Sequence, residues 1–78
     1  MTPLQEKLVR IALEVNAKAS LKEAADLDRK FKDVGIDSLE AMSVILAATE
    51  QFGLTIPDEE VDGITTLNEL ARLIEERQ

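Results

Sequence analysis

The stretch Asp37-Ser38-Leu39-Glu40-Ala41-Met42-Ser43-Val44-Ile45-Leu46-Ala47-Ala48-Thr49-Glu50-Gln51-Phe52-Gly53 decides the fold. Ala41, Val44, Ile45, Ala48 and Phe52 recur at i, i+3, i+4, i+7 and i+11, which is one face of a helix running from about Ser38 to Phe52. Leu39, Met42 and Leu46 form a second apolar stripe on the same helix. A domain of 78 residues has little room to bury both. One stripe therefore faces a core and the other is a candidate contact surface. Asp37 can accept from first-turn amides and Glu40 follows three residues on, the pattern of a capping box. Gly53 stops the helix as a C-cap residue.

Working outward, the same signals recur. Thr2 can cap a first helix, with Pro3 at its first position and Gln5 as capping-box partner. Leu4, Leu8, Ile11 and Val15 give its stripe, and it ends around Asn16 to Lys18. Ile56-Pro57-Asp58-Glu59-Glu60 starts a short turn of helix with acids in its first turn, as the helix dipole favours, and Gly63 ends it. Thr66, with Glu69 three residues on, starts a last helix whose buried stripe is Leu67, Leu70, Ala71 and Ile74. No segment alternates with the period of a strand. Residues 19 to 36 read as one long connection, pinned by Leu21, Leu27, Phe31 and Val34. A connection of that length in a small domain is uncommon and is often functional. Gly35 supplies a backbone conformation other residues resist. The expected fold is all-α, a small four-helix bundle of three main helices and a short third one, in a single domain over residues 1–78.

Composition narrows the chemistry. With no Cys and no His, neither a disulfide nor a thiolate or imidazole zinc site is available, and no metal site is expected. A chain of this size buries roughly 60% of its unfolded surface, so its 45% hydrophobic content has to supply the stability. The chain has no signal-peptide pattern and no apolar run of membrane-spanning length, and cytoplasmic localisation is the expectation. Net charge is −7. From Asp33 to Glu69 there are nine acids and no Lys or Arg, so that stretch carries −9; nine bases and seven acids elsewhere leave +2. Such a field repels phosphate backbones and anionic lipid, excluding nucleic acid and stable membrane insertion, and attracts proteins with basic patches.

Ser38 presents a hydroxyl at a helix start among acids. As a nucleophile it would need a base within reach, and the chain has no His to serve. It reads instead as a point of attachment, and the chain as no enzyme. Asp26-x-Asp28 opens like a calcium loop, but Lys30 and Phe31 stand where that loop needs an acid or amide and a glycine. Arg29, Lys30 and Lys32 precede the acidic stretch, where solvation or pairing with acids across the fold would occupy them.

The run Phe31-Lys32-Asp33-Val34-Gly35-Ile36-Asp37-Ser38-Leu39-Glu40 resembles the prosthetic-group site of acyl carrier proteins. Phe52-Gly53-Leu54-Thr55-Ile56-Pro57-Asp58-Glu59-Glu60 and Ile64-Thr65-Thr66 resemble the later half of the same family. The resemblance implies 4′-phosphopantetheine on Ser38, installed from coenzyme A by a phosphopantetheinyl transferase that Asp37 helps to recruit. Acyl groups would travel as thioesters on that arm, in fatty acid, polyketide or a related acyl pathway. The partners implied are acyl-loading, condensing and transfer enzymes with basic docking patches. They would meet Leu39, Glu40, Met42, Leu46, Glu50, Asp58, Glu59 and Glu60. An inter-helical pocket lined by Val44, Ile45, Ala48, Ile64 and Ala71 would shelter the acyl chain, and the carrier would act as a monomer.

Fatty-acid-synthesis carriers usually have a more acidic second helix, and this sequence has Ser43, Thr49 and Gln51 where that group often has Glu. This points to a specialised discrete carrier. D-alanyl or aminoacyl carriage is the alternative within the class. A non-covalent acidic helical adaptor is the alternative outside it.

Overall fold

Four helices build the chain, three of them started by a side-chain capping box. In the computed structural model, which describes all 78 residues, Thr2 accepts from the Gln5 amide at 3.1 Å while the Gln5 side chain accepts from the Thr2 amide at 2.8 Å. Helix α1 (Pro3–Val15) starts there and ends with Asn16 as its C-cap. Helix α2 (Ser38–Gln51) stops at Phe52, followed by Gly53 at φ 66°. The short α3 (Asp58–Asp62) begins after Pro57, and α4 (Leu67–Arg77) is capped by Thr66 and Glu69. There are no strands.

Helix α1 packs on both α2 and α4. Leu8, Val44, Ala48, Leu70 and Ile74 have no exposed surface, so the middle of the bundle is a close-packed aliphatic core. Lys7 adds a contact at the end of α2, its ammonium 5.2 Å from the Phe52 ring centroid.

Residues 19 to 36, read from the sequence as one long connection pinned by Leu21, Leu27, Phe31 and Val34, contain regular turns as well. They hold two 3₁₀ turns, Ala24–Asp28 and Phe31–Val34. The first is nucleated by Asp26, whose carboxylate accepts from the amides of Lys22 and Glu23 at 2.9 and 3.1 Å. These local bonds leave no helical periodicity for a sequence pattern to reveal. Leu21, Leu27, Phe31, Val34 and Ile36 are all buried, so the segment is part of the core. It is tied across the fold as well. The Ser20 amide donates to the Val34 carbonyl at 2.8 Å, and the Phe31 amide to the Thr65 carbonyl at 2.9 Å.

Candidate functional site

The turn that delivers Ser38 is over-determined. Gly35 sits at φ 90°, in the left-handed region that favours glycine, and closes the second 3₁₀ turn. Ile36 is buried and anchors the strap just ahead of the helix. The Glu40 amide then donates to Asp37 Oδ1 at 2.8 Å, and the Asp37 amide donates to Glu40 Oε1 at 3.0 Å. Ser38 follows as the exposed first residue of α2. Its hydroxyl has no side-chain partner, and the amides of Ser38 and Leu39 have no acceptor within the protein. A helix start of this kind favours an anion through its free amides and its dipole, by roughly 0.3–1 kcal/mol.

Ser38 stands at a cleft of about 620 Å³ between the second 3₁₀ turn, the first half of α2 and the α3–α4 connection. Phe31, Ile36, Met42, Ile45, Val61 and Ile64 supply its apolar wall. Lys30, Lys32, Asp37, Asp62 and Thr65 supply its polar edges. The Thr65 side is stiffened by Glu69, which accepts from the Thr65 amide and hydroxyl, both at 2.7 Å, and from the Thr66 amide at 2.9 Å. Those donors, Thr65's first, hold the Glu69 carboxyl below its ordinary value. Asp26 is lowered likewise by the Lys22 and Glu23 amides and, less, by Arg29. No group of three or more acids is placed to hold a metal ion.

Ser38 thus presents a free, exposed hydroxyl at a helix start beside an apolar cleft. The family described as the phosphopantetheine attachment site matches residues 6–74. The chain belongs to the acyl carrier protein family. It is 38% identical over its whole length to the acyl carrier protein of Arthrobacter sp. (strain FB24), covering 99% of that protein. It is 36% identical, with the same coverage, to that of Kocuria rhizophila. It is 32% identical over 94% of its length to acyl carrier protein 2, chloroplastic, of Spinacia oleracea, of which it covers 58%. The cofactor is accordingly 4′-phosphopantetheine, and the unpartnered Ser38 hydroxyl fits the phosphodiester such an arm requires.

Among this carrier's expected surface residues, Leu39, Met42 and Leu46 are 78%, 45% and 53% exposed. The second stripe is thus outside the core. Glu50, Asp58 and Glu59 are exposed as well. Glu40 and Glu60 are not free acids. Glu40 is half-buried in the capping box and also accepts from Asn16 Nδ2 at 3.4 Å. Glu60 is half-buried and paired with Arg77 across to α4.

The pocket expectation divides. Ile45 and Ile64 line the cleft, whereas Val44, Ala48 and Ala71 lie in the packed core away from it. Val44 and Ala48 sit one turn apart on α2 and are fully enclosed. Thr49 is buried too, with its hydroxyl donating to the Leu46 carbonyl at 3.0 Å. Its neutrality therefore says nothing about the surface, and only Ser43 and Gln51 of the three substituted positions are exposed.

Asn16 is a site residue that the sequence pattern did not announce. Its Nδ2 donates to the Gly35 carbonyl at 2.9 Å and its Oδ1 accepts from the Lys18 amide at 3.0 Å. It fastens the end of α1 to the strap ahead of Ser38. A C-cap asparagine gives no hint of a partner nineteen residues away.

Proposed function

We propose that Ser38 carries the 4′-phosphopantetheine arm, and that the chain is one carrier domain over residues 1–78 that itself catalyses nothing. The observation that carries this reading is the free hydroxyl of Ser38, held at the start of α2 by the Asp37–Glu40 capping box and opening onto the apolar cleft. The arm supplies a terminal thiol for thioester carriage, which the cysteine-free chain lacks. The protein's own residues present the hydroxyl, neutralise part of the attached phosphate through the helix start, and offer apolar surface beside it.

Partners are a phosphopantetheinyl transferase, with Asp37 contributing to its docking, and acyl-loading, condensing and transfer enzymes bearing basic patches. Leu39, Met42 and Leu46 form the apolar centre of that docking face, and Glu50, Asp58 and Glu59 its acidic edge. Ile45 and Ile64 are the residues beside a sheltered acyl chain. The neutral Ser43 and Gln51 favour a specialised cytoplasmic carrier, for a polyketide or another dedicated acyl pathway. Incubation with coenzyme A and a promiscuous transferase should add the mass of one phosphopantetheine. A well-folded protein that gains no mass contradicts the reading.

A further inference from the structure

Three cations precede the acidic stretch, and they do not share one role. Arg29 is committed: its Nη1 lies 3.4 Å from Asp26 Oδ1, and its Nη2 donates to the Asp33 carbonyl at 2.7 Å. Lys30 and Lys32 make no ion pair and no side-chain hydrogen bond. Both are exposed, both line the cleft that Ser38 opens onto, and they are its only cations. The two acids in the same lining do not occupy them. Asp37 spends its carboxylate on the Glu40 amide, and Asp62 is paired with neither lysine.

We propose that Lys30 and Lys32 form a cationic rim that binds an oxyanion delivered into the cleft on the arm attached at Ser38. The inference rests on that attachment. The charge balance favours it. A negative group added at Ser38 enters a region with Asp33, Asp37, Glu40 and Asp62 close in sequence or in the cleft, and like charges there repel it. The two lysines supply the opposite sign within the lining of the same cleft. The cleft is then amphipathic: aliphatic depth from Ile45 and Ile64, cationic lip from the two lysines. Two sources present the same chemistry, namely the phosphodiester of the arm and a free terminal carboxylate on a dicarboxylic acyl cargo.

The test compares apo, phosphopantetheinylated, butyryl-loaded and succinyl-loaded protein, each verified by intact mass. The side-chain ammonium resonances of Lys30 and Lys32 are followed by NMR. A shift on phosphopantetheinylation, kept in the butyryl form and weakened by salt, assigns the rim to the phosphodiester. A further shift only in the succinyl form assigns it to the cargo carboxylate. In either case K30Q/K32Q, at two exposed positions, removes the effect of the form concerned on neighbouring backbone resonances while leaving the fold intact. Unmoved lysine resonances in all four forms, with the masses confirming loading, overturn the rim and leave the attachment standing. Failure to gain mass overturns the attachment, and the rim with it.

Discussion

Asp37 and Glu40 hold one another across Ser38, each side chain accepting from the other's amide at 2.8 and 3.0 Å. The pair fixes where the helix begins and therefore where the hydroxyl points. It also gives two acids near the expected docking face a structural duty. A charge reversal at Glu40 would break a cap as well as alter a surface.

Asp37→Ala should cost about 1 kcal/mol, as loss of an N-cap side chain typically does. In a domain of this size that lowers Tm by several degrees. Glu40→Gln retains an acceptor for the Asp37 amide and should cost much less. Thermal unfolding of the two variants decides it. Equal losses would mean that the capping box is not what organises the turn.

Docking is better tested at residues with no partner inside the protein. Glu50→Lys should leave stability unchanged, slow loading by partner enzymes and flatten the salt dependence of the rate. Leu46→Ala removes an exposed side chain and should likewise weaken docking at almost no cost in stability. Ile74→Ala, in the enclosed core, should cost about 2–5 kcal/mol. Loading rates that ignore both surface changes would remove α2 from the docking face.

The strap before Ser38 makes its own prediction. A Cβ at Gly35 would meet no atom within 4 Å, so Gly35→Ala is resisted by the positive φ alone. The expected cost is about 1–2 kcal/mol. Asn16→Ala removes the bond to the Gly35 carbonyl and should cost about 1 kcal/mol. Urea midpoints of the single and double variants should show coupling, because both act on one turn. Strict additivity would mean that Asn16 and Gly35 hold the strap independently.

Acid should weaken the fold through Asp26 and Glu69. Both carboxyls lie below their ordinary values of 3.8 and 4.5 in the folded protein, because amide and hydroxyl donors favour the charged form. The unfolded chain therefore takes up these protons first as pH falls. Their stabilisation is complete above those ordinary values and is lost as pH drops through the lower folded ones. Relief of repulsion among the other acids acts in the opposite direction, so the comparison must be between variants. Asp26→Asn and Glu69→Gln should be less stable than the parent at pH 7 and should approach it at pH 3. A gap that stays constant with pH would deny these two groups the role.

Much of this was legible because the signals were local. The capping pairs Thr2/Gln5, Asp37/Glu40 and Thr66/Glu69 each span three residues, and each reappears as paired hydrogen bonds. The double stripe of α2 separated correctly into a buried and an exposed face. What escaped was non-local. The first 3₁₀ turn rests on the Asp26 side chain and the second on backbone bonds such as Phe31 to Thr65, which no periodicity encodes. The contribution of Asn16 and the consumption of Glu60 by Arg77 depend on which helices meet. Of the expected pocket residues, Ile45 and Ile64 line the cleft, and Val44, Ala48 and Ala71 are buried in the core.

Ser43 offers a control for the central claim, since it too is an exposed serine on α2, a little over one turn beyond Ser38. Parent, Ser38→Ala and Ser43→Ala proteins, each with coenzyme A and a phosphopantetheinyl transferase, should be followed by intact mass and fragmentation. One phosphopantetheine on the parent and on Ser43→Ala, located at Ser38, with none on a folded Ser38→Ala, is the predicted result. Modification that survives Ser38→Ala, or a folded parent that takes up nothing, would contradict the account.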